Sequence, residues 1–571
     1  MLSDLAAGRE ALLQGRPSAA APAFAAAVER DPADHEARYW LASALMLLGD
    51  PDGADQALNE ARTLHALAAS QQMGADLSRL KTDADYANTV AVQLYGQGCV
   101  AMASVVWGLA IAAGRQEPQM WANYALSLQH QGRVEEASSL YRATAKDFAS
   151  PAIHQFLVYA ELFCEDGERR HAAEARTWAD LHARVPPPPP HPNAPLSARR
   201  LRVGYVAPSF AGSQLRQFIT PLLENHDPAV VDVVLYPNDA STEAGSPSWI
   251  RIHPIGQLSD ADAAALIRRD GIDVLNDCWG HTAGSRLGVF ARKPAPVQAA
   301  WINFFQTTGL PQMDYVLHAA SDAAPDFEGL FTEKLWPLGP VFTPFRPAAG
   351  RLPPAATPAL ATGRVTFGSF NHPAKLSPAA MSAWAEVLRS RPDAQLLLKY
   401  RYFADPVLQR AIQAQFAARG VAPERLVFAG HSSGEDYFKA FQAVDLMLDC
   451  WPAPGSTTTL EALSNGAPVL AMVGENPGVG GFYARTILQA AGLADLATTS
   501  PDAFVARALE LTQDVARLDR LRARVRPGFD ASAICDEVGF TRGLEQAYAR
   551  MFECWRSPAS PRPAAIPQAL A

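Results

Sequence analysis

Residues 449–461 combine an acidic residue, a Pro/Gly turn and three consecutive threonines. Asp449 follows a largely apolar run, Pro452 to Gly455 form the turn, and Thr457 to Thr459 begin an Ala/Leu-rich helical pattern. This pattern predicts a strand that ends where a helix begins, with unpaired backbone N–H groups and hydroxyls facing one point. At the carboxyl edge of an open α/β sheet, such a point receives phosphate groups. The segment therefore predicts a phosphorylated ligand.

The composition is that of a folded protein with several domains. With 571 residues the chain is too long for one hydrophobic core, and about three domains are expected. A net charge of −9 argues against a general nucleic-acid binder. No apolar stretch is long enough to span a membrane, and the N-terminal residues lack the pattern of a secretory signal. The six cysteines form no CxxC pair, so we expect reduced thiols, no metal and a cytoplasmic location.

Residues 1–183 are Ala-rich and periodic. The positions that recur 34 residues apart are Gly15 and Gly49, Pro17 and Pro51, Ala20 and Ala54, Phe24 and Leu58, Ala27 and Ala61, then Gly98 and Gly132, Val100 and Val134, Ala103 and Ala137, and Trp107 and Tyr141. This spacing is typical of tetratricopeptide repeats, which stack into a concave surface suited to a polypeptide; generic helical hairpins are the alternative. The second block begins 49 residues after Gly49, so about 15 residues interrupt the stack. A degenerate fifth unit is expected around residues 166–178.

The rest of the chain alternates between strand and helix patterns. A Pro-rich linker, residues 184–199, is expected to be an extended spacer, with an SH3-type ligand as the alternative. Strands are predicted at residues 201–206, 231–236, 274–275, 297–302, 315–317, 365–370, 396–400, 426–428, 446–448 and 469–471. Helices are predicted at residues 501–524 and 531–554.

These patterns predict the fold class. We expect a helical solenoid followed by two Rossmann-like lobes, residues 200–345 and 364–556, joined by a connector at 346–363. Residues 557–571 are expected to be disordered. Two such lobes with a cleft between them suit a GT-B glycosyltransferase, although a fold alone does not establish a function.

A resemblance to a known family is carried by five segments in a fixed order. They are residues 201–206 (Leu-Arg-Val-Gly-Tyr-Val), 293–298 (Lys-Pro-Ala-Pro-Val-Gln), 313–315 (Met-Asp-Tyr), 369–371 (Ser-Phe-Asn) with Lys375, and 449–458. With the repeats in front, the chain resembles the O-GlcNAc transferase and SPINDLY-like family, glycosyltransferase family 41. The resemblance implies inverting, metal-independent transfer of a sugar from a nucleotide donor to Ser or Thr of a protein.

The resemblance assigns a group of residues to the leaving phosphate. Lys375 matches the family's catalytic lysine, and Thr457 and Thr458 match paired threonines that hold phosphate oxygens. A cation and a helix N-terminus can stabilise the charge of the leaving group without a metal. From the residues alone, a surface lysine and an ordinary helix cap are the alternatives. Ser456 stands where the family has histidine, and Lys399 lies either near the phosphates or on the surface.

A second group is expected to lie beside the nucleoside. Glu461 occupies the place of an acidic residue that binds a ribose hydroxyl, or is an exposed helix carboxylate. Tyr437 can stack on a base, and His431 lies in the same stretch, but the lysine and histidine that cover uridine in the family are replaced. Asn371 and His372 should line the cleft, where His372 is either a hydrogen-bonding wall residue or an acid or base.

Three further positions are expected in or near the cleft. Gln306 and Thr307 belong to a loop that replaces the family's Pro-Gly-Thr-Ser-Gly, and should face the donor or the acceptor. Arg485 follows a Gly-rich run and either reaches an anionic group or packs on its helix. Residues 210–217 lack the histidine that the family carries there, so the catalytic base is unassigned. Arg216 in this stretch either pairs with a carboxylate on the donor or is a surface charge.

These departures favour a donor other than UDP-GlcNAc. Bacterial proteins of similar layout include flagellin glycosyltransferases, which use CMP-linked nonulosonic acids such as pseudaminic acid, and a carboxylated sugar would give Arg216 a partner. The first hypothesis is a protein O-glycosyltransferase that uses a UDP-GlcNAc-like or CMP-nonulosonate donor and binds a protein acceptor, such as flagellin, through its repeats. One alternative is a repeat scaffold whose degenerate transferase module binds nucleotide without turnover. The other is transfer to a small or lipid acceptor, against which the repeats argue.

Overall fold

The chain forms two compact units in this computed structural model, which describes residues 4–114, 117–210, 215–239, 246–319 and 329–557. The first unit contains the described residues up to 149 together with residues 352–472 and 498–524. The second contains residues 150–351 and 473–497 and the described chain from 525 onward. Both units are therefore discontinuous in sequence, whereas the predicted domain boundaries follow the order of the chain.

The repeat region of the first unit is entirely helical in its described residues. Its helices are α1 (Asp4–Leu13), α2 (Pro17–Arg30), α3 (His35–Leu47), α4 (Pro51–Gln72), α5 (Leu77–Thr82), α6 (Ala84–Gly96), α7 (Val100–Ala112), α8 (Pro118–Gln129) and α9 (Val134–Phe148). The turns within the helix pairs hold Gly15, Gly49, Gly98 and Gly132 at φ of 70°, 76°, 86° and 82°. Because side chains disfavour this left-handed conformation, glycine recurs at these turns. The extended end of α4 and the short α5 fill the predicted interruption.

A six-stranded sheet completes the first unit. Its strands are β8 (Thr366–Ser369), β9 (Gln395–Lys399), β10 (Leu426–Ala429), β11 (Leu446–Leu448), β12 (Val469–Met472) and β13 (Ala497–Thr498). They lie in the order β10-β9-β8-β11-β12-β13, and the pairings from β10 to β12 are parallel. The helices of this part are α15 (Ala359–Thr362), α16 (Pro378–Ser390), α17 (Pro406–Ala417), α18 (Gly434–Gln442), α19 (Thr457–Ser464), α21 (Pro501–Gln513) and most of α22 (Val515–Asp530).

The repeats and the six-stranded sheet share one core through helix α17. Ala411 and Ala414 of α17 pack with Tyr39 and Ala61 of the repeats, and all four side chains are buried. Arg410 of α17 donates two hydrogen bonds to the carboxylate of Glu36, each 2.6 Å long. A bidentate pair fixes orientation as well as distance, so the repeats are held in a defined register on the sheet.

The second unit contains a helical hairpin and a seven-stranded sheet. The hairpin is α10 (Pro151–Glu161) and α11 (Gly167–His182). The strands are β1 (Leu201–Ala207), β2 (Val231–Pro237), β3 (Arg251–Ile252), β4 (Val274–Asp277), β5 (Val297–Ala300), β6 (Tyr315–His318) and β7 (Lys334–Pro337). They are parallel and ordered β3-β2-β1-β4-β5-β6-β7. The other helices are α12 (Arg216–Asn225), α13 (Asp260–Arg269), α14 (Leu287–Ala291), α20 (Val479–Ala490) and α23 (Glu537–Arg556).

The predicted fold class is confirmed, and the differences have local causes. Strands β3, β7 and β13 lie at sheet edges and were not predicted; they have two, four and two residues. The helix predicted over 501–524 is divided at Asp514, whose carboxylate accepts a hydrogen bond from the N–H of Arg517 and so starts a new helix. The predicted disordered tail lies outside the described residues from 558 onward.

Among the described residues, no helix has the length and apolar character of a bilayer span. All six cysteines are free thiols.

Candidate functional site

The predicted phosphate site lies where two neighbouring strands of the first unit end. Strands β8 and β11 are adjacent and parallel, so their carboxyl ends lie side by side. Residues 371–375 follow β8, and residues 449–458 follow β11. The sheet therefore brings the Asn371–Lys375 segment against the turn that opens α19, as ligand sites in open parallel sheets require.

The carboxylate of Asp449 holds this turn through hydrogen bonds. Its Oδ1 accepts hydrogen bonds from the N–H of Cys450 (2.8 Å), the N–H of Gly455 (2.7 Å) and Nδ2 of Asn371 (3.0 Å). Its Oδ2 accepts one from the hydroxyl of Thr459, 3.3 Å away. Burial raises the pKa of Asp449, while these donors and the nearby Lys375 ammonium oppose that rise. Sequence reasoning placed Asp449 in the motif but gave it no role, although an acidic residue directly after a buried strand was a usable signal.

Lys375 contacts the same turn. Its Nζ donates a hydrogen bond of 2.7 Å to the carbonyl oxygen of Pro454. Burial lowers the pKa of Lys375, and the charge of Asp449 acts in the opposite direction. The predicted catalytic lysine is thus partly buried at the N-terminus of α19 and is not a free surface side chain.

The hydroxyl residues before and within α19 have different surroundings. The hydroxyl of Thr458 donates to Oδ1 of Asn371 at 2.9 Å, which joins the two segments. Thr457 and Ser456 are half-buried, and the Ser456 side chain forms no capping bond to a described residue. The first turn of the helix is therefore not closed by its own cap residue, and its N–H groups remain suited to an anionic oxygen.

The predicted nucleoside residues form a second cluster in this unit. The hydroxyl of Tyr437 donates to Oε2 of Glu461 at 2.5 Å. Burial, followed by the Glu461 carboxylate, raises the pKa of Tyr437, which keeps the phenol protonated as the donor. Nζ of Lys399 lies 5.8 Å from the ring centroid of Tyr437 and donates to the carbonyl of Gly430 at 2.8 Å. Lys399 thus belongs with Tyr437, and burial lowers its pKa. His431 is exposed.

His372 is a hydrogen-bonding residue. Its Nδ1 accepts a hydrogen bond of 3.0 Å from the N–H of Ala374, and its ring packs edge-on against Tyr400 and Tyr402. Burial, with further contributions from His130, Lys375 and Arg401, holds the pKa of His372 well below its usual value. A ring whose Nδ1 is already engaged and whose protonated form is disfavoured is poorly suited to be an acid or base.

The remaining predicted residues lie in the second unit. Thr307 was expected to face the donor or the acceptor, but its side chain is fully buried and its hydroxyl donates to Glu333 at 2.6 Å. The loop is folded inward onto a buried carboxylate 26 residues away, and its orientation toward the donor or the acceptor stays a prediction. Gln306 is hydrogen-bonded through its side chain to Glu168 of α11. Arg216 is exposed in the first turn of α12.

Backbone N–H groups of the Gly-rich run before Arg485 bind the side chain of Glu168. The carboxylate of Glu168 accepts hydrogen bonds from the N–H groups of Val479 (3.0 Å) and Gly480 (2.9 Å) at the start of α20. The guanidinium of Arg485 lies 5.9 Å from the ring centroid of Phe482 on the same helix. Of the two readings for Arg485, this geometry favours packing on its helix. Residues 211–214, from which the family histidine is missing, lie outside the described residues.

Comparisons with known proteins agree with this architecture. The family model described as glycosyl transferase family 41 matches residues 182–342 and 355–544, and a tetratricopeptide repeat model matches residues 11–75. A relative from Oryza sativa subsp. japonica, named probable UDP-N-acetylglucosamine–peptide N-acetylglucosaminyltransferase SPINDLY, is 33% identical over 384 residues. The match covers 64% of this chain and 40% of that relative. A relative from Caenorhabditis elegans, named UDP-N-acetylglucosamine–peptide N-acetylglucosaminyltransferase, is 21% identical over 482 residues, covering 63% of this chain and 41% of the relative.

A solved structure matches across nearly the whole chain. It is a lysine-to-methionine variant of O-GlcNAc transferase from Thermobaculum terrenum, 28% identical with a TM-score of 0.73, and the match covers 98% of each chain. By contrast, the match spans about two fifths of the length of the relatives from Oryza sativa and Caenorhabditis elegans.

Proposed function

The chain belongs to glycosyl transferase family 41, and we propose that it is a protein O-glycosyltransferase that transfers a sugar from a nucleotide donor to a Ser or Thr hydroxyl. The observation that carries this proposal is the convergence of the Lys375 ammonium and the uncapped start of α19 on the turn from Pro454 to Thr458. A cation and helix N–H groups together stabilise a phosphate that gains negative charge. The proposal includes a cytoplasmic location, which suits the free thiols.

The proposed reaction is a single displacement at the anomeric carbon. The acceptor oxygen forms a bond to that carbon while the bond to the phosphate oxygen breaks, and the electron pair stays on the departing phosphate. Lys375 exchanges its hydrogen bond to Pro454 for one to the leaving oxygen, and Thr457 and Thr458 lie at the same helix start. The proton of the acceptor hydroxyl passes to solvent water, because Nδ1 of His372 is already engaged by the N–H of Ala374. No metal is required in this scheme, because the positive charge comes from Lys375 and the helix.

The donor and the acceptor are proposed at a finer level. A UDP-GlcNAc-like donor is supported by the names of the relatives, and a CMP-linked nonulosonic acid by the exposed Arg216, which is able to pair with a carboxylate. The repeat region is proposed to bind the protein acceptor, since stacked helix pairs offer an extended concave surface. Flagellin is the acceptor that would accompany the nonulosonate donor.

A donor panel tests the proposal. Purified protein is offered UDP-GlcNAc, other UDP-sugars and CMP-linked nonulosonic acids with flagellin and with unrelated Ser/Thr-rich polypeptides, and sugar attachment is measured by mass spectrometry. Activity with UDP-GlcNAc alone would exclude the nonulosonate donor. Binding of nucleotides by calorimetry without turnover of any donor would instead establish the nucleotide-binding scaffold.

Substitution of the lysine adds a sharper test. Lys375→Ala should lower kcat by on the order of 100-fold or more, because the charge on the leaving phosphate loses its cation. Lys439→Ala is the matched control, since that lysine is exposed on α18 and pairs with Glu435 of the same helix. Turnover of Lys375→Ala equal to that of Lys439→Ala would show that the assignment of Lys375 is wrong.

A further inference from the structure

Two turns of the repeat region touch the loop that contains Lys375 and the loop that follows Lys399. A Cβ atom at Gly132, between α8 and α9, would lie 3.0 Å from the carbonyl oxygen of Pro373. A Cβ atom at Gly98, between α6 and α7, would lie 2.8 Å from the carbonyl oxygen of Arg401. Pro373 is two residues before Lys375, and Arg401 two residues after Lys399. Equivalent turns of two successive repeats therefore lie directly against the loops that follow β8 and β9.

A buried carboxylate anchors the same repeats to the sheet. Oδ2 of Asp405 accepts hydrogen bonds from the N–H groups of Ala101 (2.6 Å) and Met102 (3.2 Å) at the start of α7. Its Oδ1 accepts from Val407 (2.8 Å) and Leu408 (3.3 Å) at the start of α17. One side chain thus caps a repeat helix and a sheet helix at once, so small displacements between them are resisted.

A histidine of the repeats reaches His372 within this contact. The ring of His130 meets the ring of His372 edge-on at a centroid distance of 4.8 Å and stacks on Tyr402 at 4.6 Å. Its Nδ1 lies 3.1 Å from the hydroxyl of Tyr95, which is positioned to donate to it. Burial lowers the pKa of His130 to about 3, so the ring is neutral and acts through packing.

His372 in turn fixes the turn that carries Lys375. Its Nδ1 accepts the N–H of Ala374 at 3.0 Å, and its carbonyl oxygen accepts the N–H of Lys375 at 2.9 Å. Rotation of the His372 ring would break the first of these bonds and release the short helical turn Pro373–Lys375. The side chain of Lys375 leaves this turn to reach Pro454.

We propose that His130 is a positioning residue for Lys375. The ring of His130 holds the ring of His372, the ring of His372 holds the backbone turn, and the turn sets where the Lys375 ammonium lies. The repeats thereby form part of the scaffold of the phosphate site, in addition to any acceptor that they bind. This inference rests on the proposed function for its kinetic consequences, but its structural step is independent of turnover.

The test compares three variants of the full chain. His130→Ala removes the ring, and His130→Phe keeps a ring without the two nitrogens. His65→Ala removes a repeat histidine whose ring stacks on His35 at 4.3 Å and meets Tyr39 edge-on. Turnover is measured with UDP-GlcNAc, or with the donor that the wild type uses in the panel, and amide exchange is followed across residues 371–376. For His130→Ala we expect kcat to fall on the order of 10- to 100-fold with the donor KM within about threefold, since misplacement of a catalytic group costs rate more than binding. Exchange of the Ala374 and Lys375 amides should become faster.

The outcomes separate positioning from general stability. His130→Phe should restore kcat and slow exchange, and His65→Ala should leave both at wild-type values. Wild-type kcat and exchange in His130→Ala would overturn the inference, and so would equal losses in His130→Ala and His65→Ala. If no donor is turned over by the wild type, the proposed function fails, and the exchange of residues 371–376 still decides whether His130 holds the turn.

Discussion

Asp405 offers the most direct test of how the repeats are held on the first unit. The side chain is fully buried and accepts four backbone hydrogen bonds, two from α7 and two from α17. Loss of one N-cap costs ~1 kcal/mol, and buried N–H groups left without an acceptor add about 1–3 kcal/mol. With two caps removed together, Asp405→Ala should lower the free energy of opening of the first turns of α7 and α17 by about 3–5 kcal/mol.

Hydrogen exchange provides the measurement, because it reports the opening of individual helix ends. Asp34→Ala is the matched control, since Asp34 caps α3 through a single bond to the N–H of Ala37. That variant should lose ~1 kcal/mol, and only in α3. Losses of similar size in the two variants, or a loss in Asp405→Ala confined to α17, would refute the double cap.

The same residue predicts a pH dependence. Burial raises the pKa of Asp405 to about 6, against 3.8 for an exposed Asp. A raised acid pKa means that the folded state binds the proton more tightly, so this contribution to stability is present below about pH 4 and is lost as pH rises through 6. Between pH 4 and pH 7 the wild type should lose about 2–3 kcal/mol relative to Asp405→Asn, which does not titrate. If the difference in unfolding free energy between the two proteins stays constant over that range, burial does not raise the pKa of Asp405.

Two further expectations follow. Gly15→Ala should cost about 1–2 kcal/mol for its left-handed φ alone. Gly132→Ala should destabilise the repeat region by more, because a Cβ at Gly132 also meets the carbonyl oxygen of Pro373, whereas a Cβ at Gly15 meets no atom. Equal changes in thermal midpoint would contradict this. Turnover of the donor identified in the panel should be unchanged by EDTA, since Lys375 and the start of α19 supply the positive charge. A loss of turnover that Mg²⁺ restores would contradict the metal-free scheme.

Features with a short repeat in sequence were predictable. The turn glycines recur because each turn needs a positive φ, and buried parallel strands appear as apolar runs of a few residues. The two-residue strands β3 and β13 are too short for any pattern. The loop with Thr307 could not be placed, because its partner Glu333 is brought to it by the sheet. The contact of His130 with His372 joins segments more than 240 residues apart, and no local pattern reports it.

The proposed phosphate site contains a negatively charged residue, Asp449. A carboxylate near a phosphate would repel it, so an acidic residue at the head of this motif needs a structural explanation. In the structure both carboxylate oxygens are engaged by donors from Cys450, Gly455, Asn371 and Thr459. These bonds hold the turn in shape from the protein side, while the Lys375 ammonium contacts it through Pro454. The Asp449 carboxylate therefore serves to hold the turn, and the groups proposed to bind the ligand are the Lys375 ammonium and the first N–H groups of α19.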